Sequence, residues 1–375
     1  MHTTGAVLRR SPVDRPYRDT EALEVVEVEL ADPGPGEVLV RIDAAGLCHS
    51  DLSVINGSRP RPLPMLLGHE AAGTVEAIGP AVQDVRPGDK VVLVYVPSCG
   101  VCRFCASGRS ALCASGAAAN GRGELIRGGS RISHPEFGQI NHHLGVSGFA
   151  RHAVVDRNSL VVIDSDVPGP IAALFGCAML TGFGAVNHTA TVRSGDAVAV
   201  FGLGGVGQAV VMSAAAAGAY PIIGIDLVPA KQELARQIGA SHAGSPDELA
   251  ELLAAHSPGG VDWAFEVVGS ARVLESAYAA TGRGGGTVAV GLPDPSAVLT
   301  LPALSLIAEN RQLLGSYMGT AQPQLDVPVM IKLWKAGRLP VERLMSGELG
   351  FDGLNAAFDA LDGGSAVRQV LLPHS

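Results

Sequence analysis

The residues best suited to chemistry lie in two short stretches and at one isolated position. The order Cys-His-Ser-Asp occupies positions 48–51, and Gly-His-Glu occupies positions 68–70. Cys177 stands alone much later in the chain. Together, Cys48, His69 and Cys177 offer two sulfurs and one nitrogen. Three protein ligands, with a fourth position open to water or substrate, are how a catalytic zinc is held. The sequence therefore predicts an open metal site at these three residues.

The other four of the six cysteines form a local cluster. Cys99, Cys102, Cys105 and Cys113 follow the spacing C-x2-C-x2-C-x7-C. Four thiolates can close a tetrahedral zinc site, which is structural because no position remains for substrate. Local disulfides are the alternative interpretation. The N-terminus has no apolar core of signal-peptide length, so we expect a reducing, cytoplasmic setting that disfavours disulfides.

A glycine-rich stretch at 202–207 matches the pattern G-x-G-x-x-G. It follows a strand-like run and opens a helix-like run, and Asp226 ends the next strand-like run, which is the context of a dinucleotide fingerprint. Glycines let the backbone approach a pyrophosphate at the helix N-terminus. Asp226 would accept hydrogen bonds from the adenosine ribose and repel a 2′-phosphate, which favours NAD over NADP. The predicted cofactor contacts here are Gly202, Gly204, Gly205, Val206, Gly207 and Asp226.

Composition narrows the class of protein. With 375 residues, 47% of them hydrophobic and 17% charged, the chain is long enough for two globular domains. Its formal net charge of -9 and the lack of a Lys/Arg-rich run predict no nucleic-acid partner. The uncharged run 197–225 has the length of a membrane span. Its glycines and Pro221 predict strand, turn, helix and strand instead, so we expect no membrane association.

The first part of the chain, to about Cys177, is rich in short β-like runs separated by Gly, Pro and Asp. Runs at 38–42, 73–78 and 91–95 predict a β-rich, partly closed barrel-like domain. The stretch 114–141 is rich in glycine and lacks clear periodicity. We expect a long surface loop there.

From about residue 181, strand-like and helix-like runs alternate, which predicts a doubly wound parallel sheet. A second glycine run at 282–286 follows a predicted helix and precedes a predicted strand, so we interpret it as a turn. The strands are expected at 197–201, 221–226, 261–267 and 287–290, and the helices at 206–217, 230–238, 246–256 and 272–281. A further helix at 324–335 and an apolar run at 370–372 follow.

These motifs together resemble the zinc-dependent alcohol dehydrogenases of the medium-chain dehydrogenase/reductase family. The resemblance runs from end to end and includes Gly-His-Glu at 68–70, the four-cysteine lobe, Gly-Val-Ser-Gly-Phe at 145–149 and the glycine turn at 202–207. It implies an α/β protein with a GroES-like β-rich catalytic domain and a Rossmann domain with a doubly wound parallel sheet. The implied domains are residues 1–178 with a structural zinc lobe at 99–113, residues 179–317 for NAD, and residues 318–375 returning to the catalytic domain.

The resemblance also implies a role for each residue of the predicted open site. Asp51 would orient the ligating imidazole, Glu70 would assist ligand exchange at the metal, and Ser50 would take the proton of the alcohol. Ser53 stands where the best-known animal enzymes have a histidine that ends the proton relay, so we expect a path of hydroxyl and water instead. The zinc ligands would be Cys48, His69 and Cys177.

Further cofactor contacts follow from the same resemblance. Arg368 would lie near the pyrophosphate and Lys231 near the adenosine ribose. His49 stands where the animal enzymes often carry an arginine on the pyrophosphate, and we expect it to contact the cofactor. Val268 and Leu292 complete the implied set.

The substrate-pocket positions are mixed apolar and aromatic, which suits a primary or aromatic alcohol. The alternative for His143 and its neighbour His142 is that both are merely loop residues. The implied pocket positions are Ser50, Tyr95, His143, Leu144, Leu292, Tyr317 and Met318.

The predicted function is a zinc-dependent oxidoreductase that transfers a hydride between a primary or aromatic alcohol and NAD, with the aldehyde as substrate in reverse. It would hold two zinc ions per chain and form a homodimer or homotetramer. One alternative is a dehydrogenase of the glutathione adduct of formaldehyde, for which Arg59 and Arg61 offer two cations. The other is a nucleotide-binding relative without turnover.

Overall fold

The computed structural model describes every residue, Met1–Ser375. The chain divides into two compact units. The first comprises Met1–Cys177, Gln322–Pro328 and Met345–Ser375, and the second comprises Ala178–Ala321 and Val329–Leu344. None of the helices combines the length and the apolar character that crossing a bilayer would require.

Strands and helices are numbered in chain order. The strands are β1 His2–Leu8, β2 Glu24–Leu30, β3 Glu37–Gly46, β4 Met65–Leu66, β5 Glu70–Ile78, β6 Lys90–Leu93, β7 Ile132–His134, β8 Gly138–His142, β9 His152–Asp156, β10 Leu160–Ile163, β11 Val198–Phe201, β12 Ile222–Ile225, β13 His242–Gly244, β14 Val261–Glu266, β15 Thr281–Ala289, β16 Gln312–Gly315, β17 Met345–Leu349 and β18 Arg368–Leu371. The α-helices are α1 Tyr17–Thr20, α2 His49–Ile55, α3 Arg103–Ala106, α4 Ala114–Arg122, α5 Gly169–Leu174, α6 Ala178–Gly184, α7 Gly205–Ala217, α8 Pro229–Gln237, α9 Leu249–His256, α10 Ala271–Ala280, α11 Ala303–Ala308, α12 Pro323–Lys335 and α13 Leu354–Asp362. A π-helical turn, Ala185–Ala190, follows α6.

The first unit is built from β-structure. Strands β1, β2, β7, β8 and β4 close a small barrel, and a second sheet runs in the order β10, β6, β5, β3, β18, β17, with β9 also paired to β3. Along β3, Val38, Val40 and Ile42 point into the main hydrophobic core while the residues between them are less buried. This period of two is what a half-buried strand requires. The β-rich first domain expected from the sequence is confirmed.

The second unit contains a six-stranded sheet in the order β13, β12, β11, β14, β15, β16, and every pairing is parallel. All four residues of β11 and all four of β12 are buried. Strands covered by helices on both faces read as continuous apolar runs, which is why these segments lack alternation. The predicted doubly wound parallel sheet is confirmed.

The prediction of a long loop over 114–141 is wrong. The stretch contains α4, β7 and β8. Helix α4 begins where the Cys113 sulfur accepts a hydrogen bond from the Gly116 N–H, and it ends at Gly123, whose φ of 69° favours glycine. Only Gly116, Ala119 and Asn120 of this helix are buried, so the sequence carries little apolar periodicity.

The prediction of a turn at 282–286 is also wrong, because the run lies inside β15. The pairing of β15 with β14 passes from Val261–Thr281 directly to Trp263–Gly286, so four residues of β15 stand opposite one of β14 and the register shifts. Gly284 has a φ of 76°, a conformation that glycine adopts at little cost. Residues 282–285 therefore have no partner on β14, and pairing resumes at Gly286.

Candidate active site

The three residues of the predicted open site converge in the first unit from three separate segments. Cys48 caps the N-terminus of α2, His69 immediately precedes β5, and Cys177 follows α5. All three side chains are buried, and their ligand atoms all lie within 4.8 Å of one another. Two sulfurs and one nitrogen at such separations are the donor set of an open zinc site.

Two features of these side chains fit a metal ion. The Nε2 atom of His69 is buried and has no hydrogen-bond partner in the chain, an arrangement that costs about 1–3 kcal/mol unless a ligand satisfies the atom. The hydrogen bond with Cys177 lowers the pKa of Cys48 below its usual range, and the charges of Arg368 and His69 act in the same direction. The same hydrogen bond and burial raise the pKa of Cys177. A thiolate is the form that binds metal, so the lowered pKa of Cys48 favours metal binding.

Asp51 connects two of the three segments. Its Oδ2 accepts a hydrogen bond from the Cys48 N–H at 3.2 Å, and its Oδ1 accepts from the Gly68 N–H at 3.1 Å. The Nδ1 atom of His69 lies 3.1 Å from the same Oδ1. Burial, the largest single influence, raises the pKa of Asp51, but the charge and hydrogen bonds of His69 and His143 together lower it to about 2. The carboxylate therefore stays ionised and holds the proton of His69 on Nδ1, which leaves Nε2 for a ligand.

Glu70 and Arg368 form a buried charge pair behind the thiols. The Arg368 Nε lies 3.5 Å from Oε1 of Glu70, and its Nη1 donates to the Leu47 carbonyl at 2.8 Å. Arg368 is only 2% exposed. Burial lowers the pKa of Arg368, but Glu70 and the two nearby thiols outweigh it and raise that pKa. The guanidinium is thus committed within the first unit, and its predicted contact with a cofactor pyrophosphate stays a prediction.

The residues after Cys48 occupy the first turns of α2. His49 is exposed and Ser50 is half-buried. The Ser53 hydroxyl donates to the Ser50 carbonyl at 2.8 Å. Because Ser53 uses its hydroxyl hydrogen there, a proton leaving the Ser50 Oγ would have to travel by another hydroxyl or by water.

The four-cysteine lobe is a second group whose ligand atoms lie within 4.8 Å of one another. Backbone N–H groups of Cys99 and Cys102 donate to the sulfurs of Cys113 and Cys99, respectively, at 3.3 Å. The backbone hydrogen bond from Cys105 lowers the pKa of Cys102 to about 6. None of the six cysteines forms a disulfide, so the alternative of local disulfides is not realised. The geometry suits one tetrahedral zinc.

The glycine turn lies in the second unit between β11 and α7. Gly202 has a φ of 94°, and a Cβ on Gly207 would collide with the Gly202 carbonyl, so the turn depends on glycine at both positions. Asp226 at the end of β12 accepts hydrogen bonds from the N–H groups of Leu203 at 2.7 Å and Val228 at 2.9 Å. Its carboxylate therefore fixes the turn at 202–207, and its predicted contact with a ribose stays a prediction. Lys231 lies near the start of α8 and is half-buried.

The predicted pocket positions fall in both units. Tyr95 and His143 in the first unit each meet the His69 ring edge to face, with centroids 5.4 Å apart. In the second unit Met318 is buried, whereas the remaining predicted positions are exposed. Those exposed positions are Leu292 and Tyr317, and Val268, a predicted cofactor contact, is exposed as well. Ser50 and Leu144 belong to the first unit.

Two features of the site were missed by the sequence reasoning. One is the pair formed by Glu70 and Arg368. The other is that Nδ1 of His143 lies 3.0 Å from the Asp51 carboxylate. No local sequence signal could have found either, because each joins residues that are distant in the chain.

The chain is similar to known proteins over most of its length. A family model described as an alcohol dehydrogenase GroES-like domain matches residues 34–165, and one described as a zinc-binding dehydrogenase matches residues 205–336. The S-(hydroxymethyl)glutathione dehydrogenase of Synechocystis sp. is 36% identical over 356 residues, which cover 93% of this chain and 96% of that protein. An alcohol dehydrogenase zinc-binding domain protein from Burkholderia ambifaria has a similar structure, with a TM-score of 0.93, 34% identity and coverage of 100% of both chains. The benzyl alcohol dehydrogenase of Acinetobacter calcoaceticus has a TM-score of 0.91, 30% identity and coverage of 99% of both chains.

Proposed function

We propose that this chain, which belongs to the zinc-dependent alcohol dehydrogenases of the medium-chain dehydrogenase/reductase family, oxidises a primary or aromatic alcohol to the aldehyde with NAD as hydride acceptor. The reverse reaction reduces the aldehyde with NADH. The observation that carries the proposal is the convergence of Cys48, His69 and Cys177 within 4.8 Å. The 30% identity to a benzyl alcohol dehydrogenase supports an aromatic alcohol as substrate.

The residues of the open site would divide the work as follows. A zinc ion held by Cys48, His69 and Cys177 supplies Lewis acidity, which lowers the pKa of a hydroxyl presented to it. Asp51 keeps Nδ1 of His69 protonated and so directs Nε2 into the site. The Ser50 Oγ accepts the proton of the alcohol. Glu70, held by Arg368, places a negative charge behind the thiols that aids ligand exchange.

The substrate proposal is tested by NADH formation across aliphatic, benzylic and terpenoid alcohols together with metal analysis. We expect the highest kcat/KM with a benzylic or other primary alcohol, and about two zinc ions per chain. One zinc per chain and no turnover with any alcohol would instead identify a nucleotide-binding relative held together by the four-cysteine lobe alone.

A second candidate is oxidation of the glutathione adduct of formaldehyde. It is favoured by the 36% identity to a protein named S-(hydroxymethyl)glutathione dehydrogenase. Turnover of formaldehyde that appears only when glutathione is added would establish this candidate. Equal turnover of benzyl alcohol with and without glutathione would exclude any need for the adduct.

NAD is proposed as the cofactor because Asp226 places a carboxylate beside the glycine turn. The variant Asp226→Asn removes the charge and keeps one of the two oxygens that accept from the N–H groups of Leu203 and Val228. We expect its KM for NAD to rise about tenfold, since a hydrogen bond to a charged group contributes about 1.5–3 kcal/mol. Its kcat/KM for NADP should rise in the same assay because the repulsion of the 2′-phosphate is gone. Equal use of NAD and NADP by the unaltered protein would contradict the assignment.

A homodimer or homotetramer is proposed as the assembly, in a reducing cytoplasmic setting. The supporting observation is helix α11, in which no residue is buried although Leu304 is 74% exposed and Ile307 83% exposed. The variant Ile307→Asp should lower the molar mass measured by light scattering, because a charge would be buried at the contact. Leu325→Asp, at another exposed apolar position, is the matched control and should leave the mass unchanged. A monomer for the unaltered chain would refute this proposal.

A further inference from the structure

The carboxylate of Asp51 has one more neighbour than its role beside His69 requires. Oδ1 already accepts from the Gly68 N–H at 3.1 Å and lies 3.1 Å from Nδ1 of His69. The Nδ1 atom of His143 lies 3.0 Å from that same oxygen. A carboxylate oxygen has two lone pairs, and two donors already occupy this one, so Nδ1 of His143 lies against it without an aligned hydrogen bond of its own. The direction in which the carboxylate points therefore depends on both histidines.

The chain around His143 is shaped to keep the imidazole in this place. Leu144 and Ser147 each have a φ of 53°, a strained conformation for residues other than glycine. The His143 N–H donates to the Ser147 Oγ at 3.0 Å, and that hydroxyl donates to the Leu66 carbonyl at 2.9 Å. Strain of this kind persists only when surrounding contacts impose it.

The same loop is joined to the segment that carries His69. The Gly148 N–H donates to the Gly68 carbonyl at 2.8 Å, and the Phe149 N–H donates to the Leu67 carbonyl at 3.0 Å. The rings of His143 and His69 meet edge to face at 85°. The two imidazoles and the carboxylate between them are thus held as one rigid group.

We propose that His143 is a positioning residue that aims the Asp51 carboxylate at His69 and thereby fixes the orientation in which His69 binds the metal. This inference rests on the proposed function, in which Cys48, His69 and Cys177 form the open zinc site. His143 presents Nδ1 to Oδ1 of Asp51 at 3.0 Å. It acts on the metal through Asp51 and His69 without being a ligand.

The neighbouring residue supplies a matched control. His142 and His143 are both buried, with exposures of 0% and 1%. The Nε2 of His142 accepts a hydrogen bond from the Arg131 N–H at 3.3 Å, and the hydrogen bonds and ion pairs of Asp51 do not include His142. Burial, and then the charge of Arg131, lower the pKa of His142 to about 3, so it is a neutral core residue. If the variants act through lost packing, substitution at either histidine should change zinc release. If they act through lost positioning of Asp51, only substitution of His143 should change it.

The test measures zinc release from the purified protein to an excess of a chromogenic chelator. Two phases are expected, and the phase absent from Cys48→Ala identifies the open site. His143→Phe should release zinc from that site about tenfold faster, since partners of metal-binding histidines contribute about 10- to 100-fold to affinity. His143→Asn should stay within about twofold of the unaltered protein, because its amide nitrogen can replace Nδ1. His142→Phe should leave the rate of this phase unchanged. The phase from the four-cysteine lobe should have the same rate in all of these variants.

An unchanged rate in a folded His143→Phe variant would overturn the inference, as would an equal acceleration in His142→Phe. If His143→Phe does not fold, the rates of zinc release from His143→Leu and His143→Asn are compared instead. Faster release from His143→Leu than from His143→Asn would support the inference, and equal rates would overturn it. The proposed function is judged separately by alcohol oxidation in the unaltered protein. If the unaltered protein oxidises no alcohol but His143→Phe still releases zinc faster, the proposed function is refuted and the positioning role of His143 is supported.

Discussion

The variant Cys48→Ala is expected to lose at least about 10³-fold in kcat while binding NAD with nearly unchanged affinity. Electrostatic stabilisation of a developing charge is among the largest contributions to catalysis, and removing even one hydrogen-bond donor of that kind costs about 10²–10³-fold. Cys48 supplies the thiol whose pKa is lowered at the open site. The proposed NAD contacts at the glycine turn lie in the second unit and do not involve this residue. Steady-state kinetics and NAD titration by fluorescence measure the two effects.

Metal analysis of Cys48→Ala should show the loss of one zinc and the retention of the other. Its thermal midpoint should fall less than that of Cys102→Ala, because Cys48 lies in a unit with an extensive hydrophobic core. Turnover within tenfold of the unaltered protein would show that the reaction does not depend on the metal at this site.

The variant Cys102→Ala is expected to lose more stability than catalytic activity. The lobe around the four cysteines contains only short helices, Arg103–Ala106 and Ser110–Leu112, with Ala111 and Cys113 as its buried residues up to position 113. Such a segment has little apolar core, so the bound metal would provide most of its folding free energy. We expect the lobe to become sensitive to protease and its free energy of unfolding to fall by about 3 kcal/mol or more.

Val101→Ala is the matched control for Cys102→Ala. Val101 lies in the same lobe and is 85% exposed, so its truncation should change neither zinc content nor proteolysis. For Cys102→Ala, the kcat calculated per open site that contains zinc should stay near the kcat of the unaltered protein. If Cys48→Ala and Cys102→Ala lose activity and stability in the same proportions, the division into a catalytic and a structural zinc is wrong.

Much of the fold could be predicted from local patterns. Helix α7 was expected at 206–217 and spans Gly205–Ala217, and α12 was expected at 324–335 and spans Pro323–Lys335. Apolar periodicity and glycine placement act over a few residues, so they are visible without tertiary information. Helix α4 was missed because its contacts are made by small side chains, and its N-terminal cap is a cysteine sulfur.

The sequence by itself determined the donor types of both predicted metal sites, the glycine turn for a dinucleotide and the division into a β-rich part and an alternating α/β part. These properties depend on residue identity and short spacing. Only the tertiary structure decided that Cys177 meets Cys48 and His69, that Arg368 is buried against Glu70, and that His143 shares the Asp51 carboxylate. Each of these contacts joins residues far apart in the chain, and burial in a folded core is what brings them within a few ångströms.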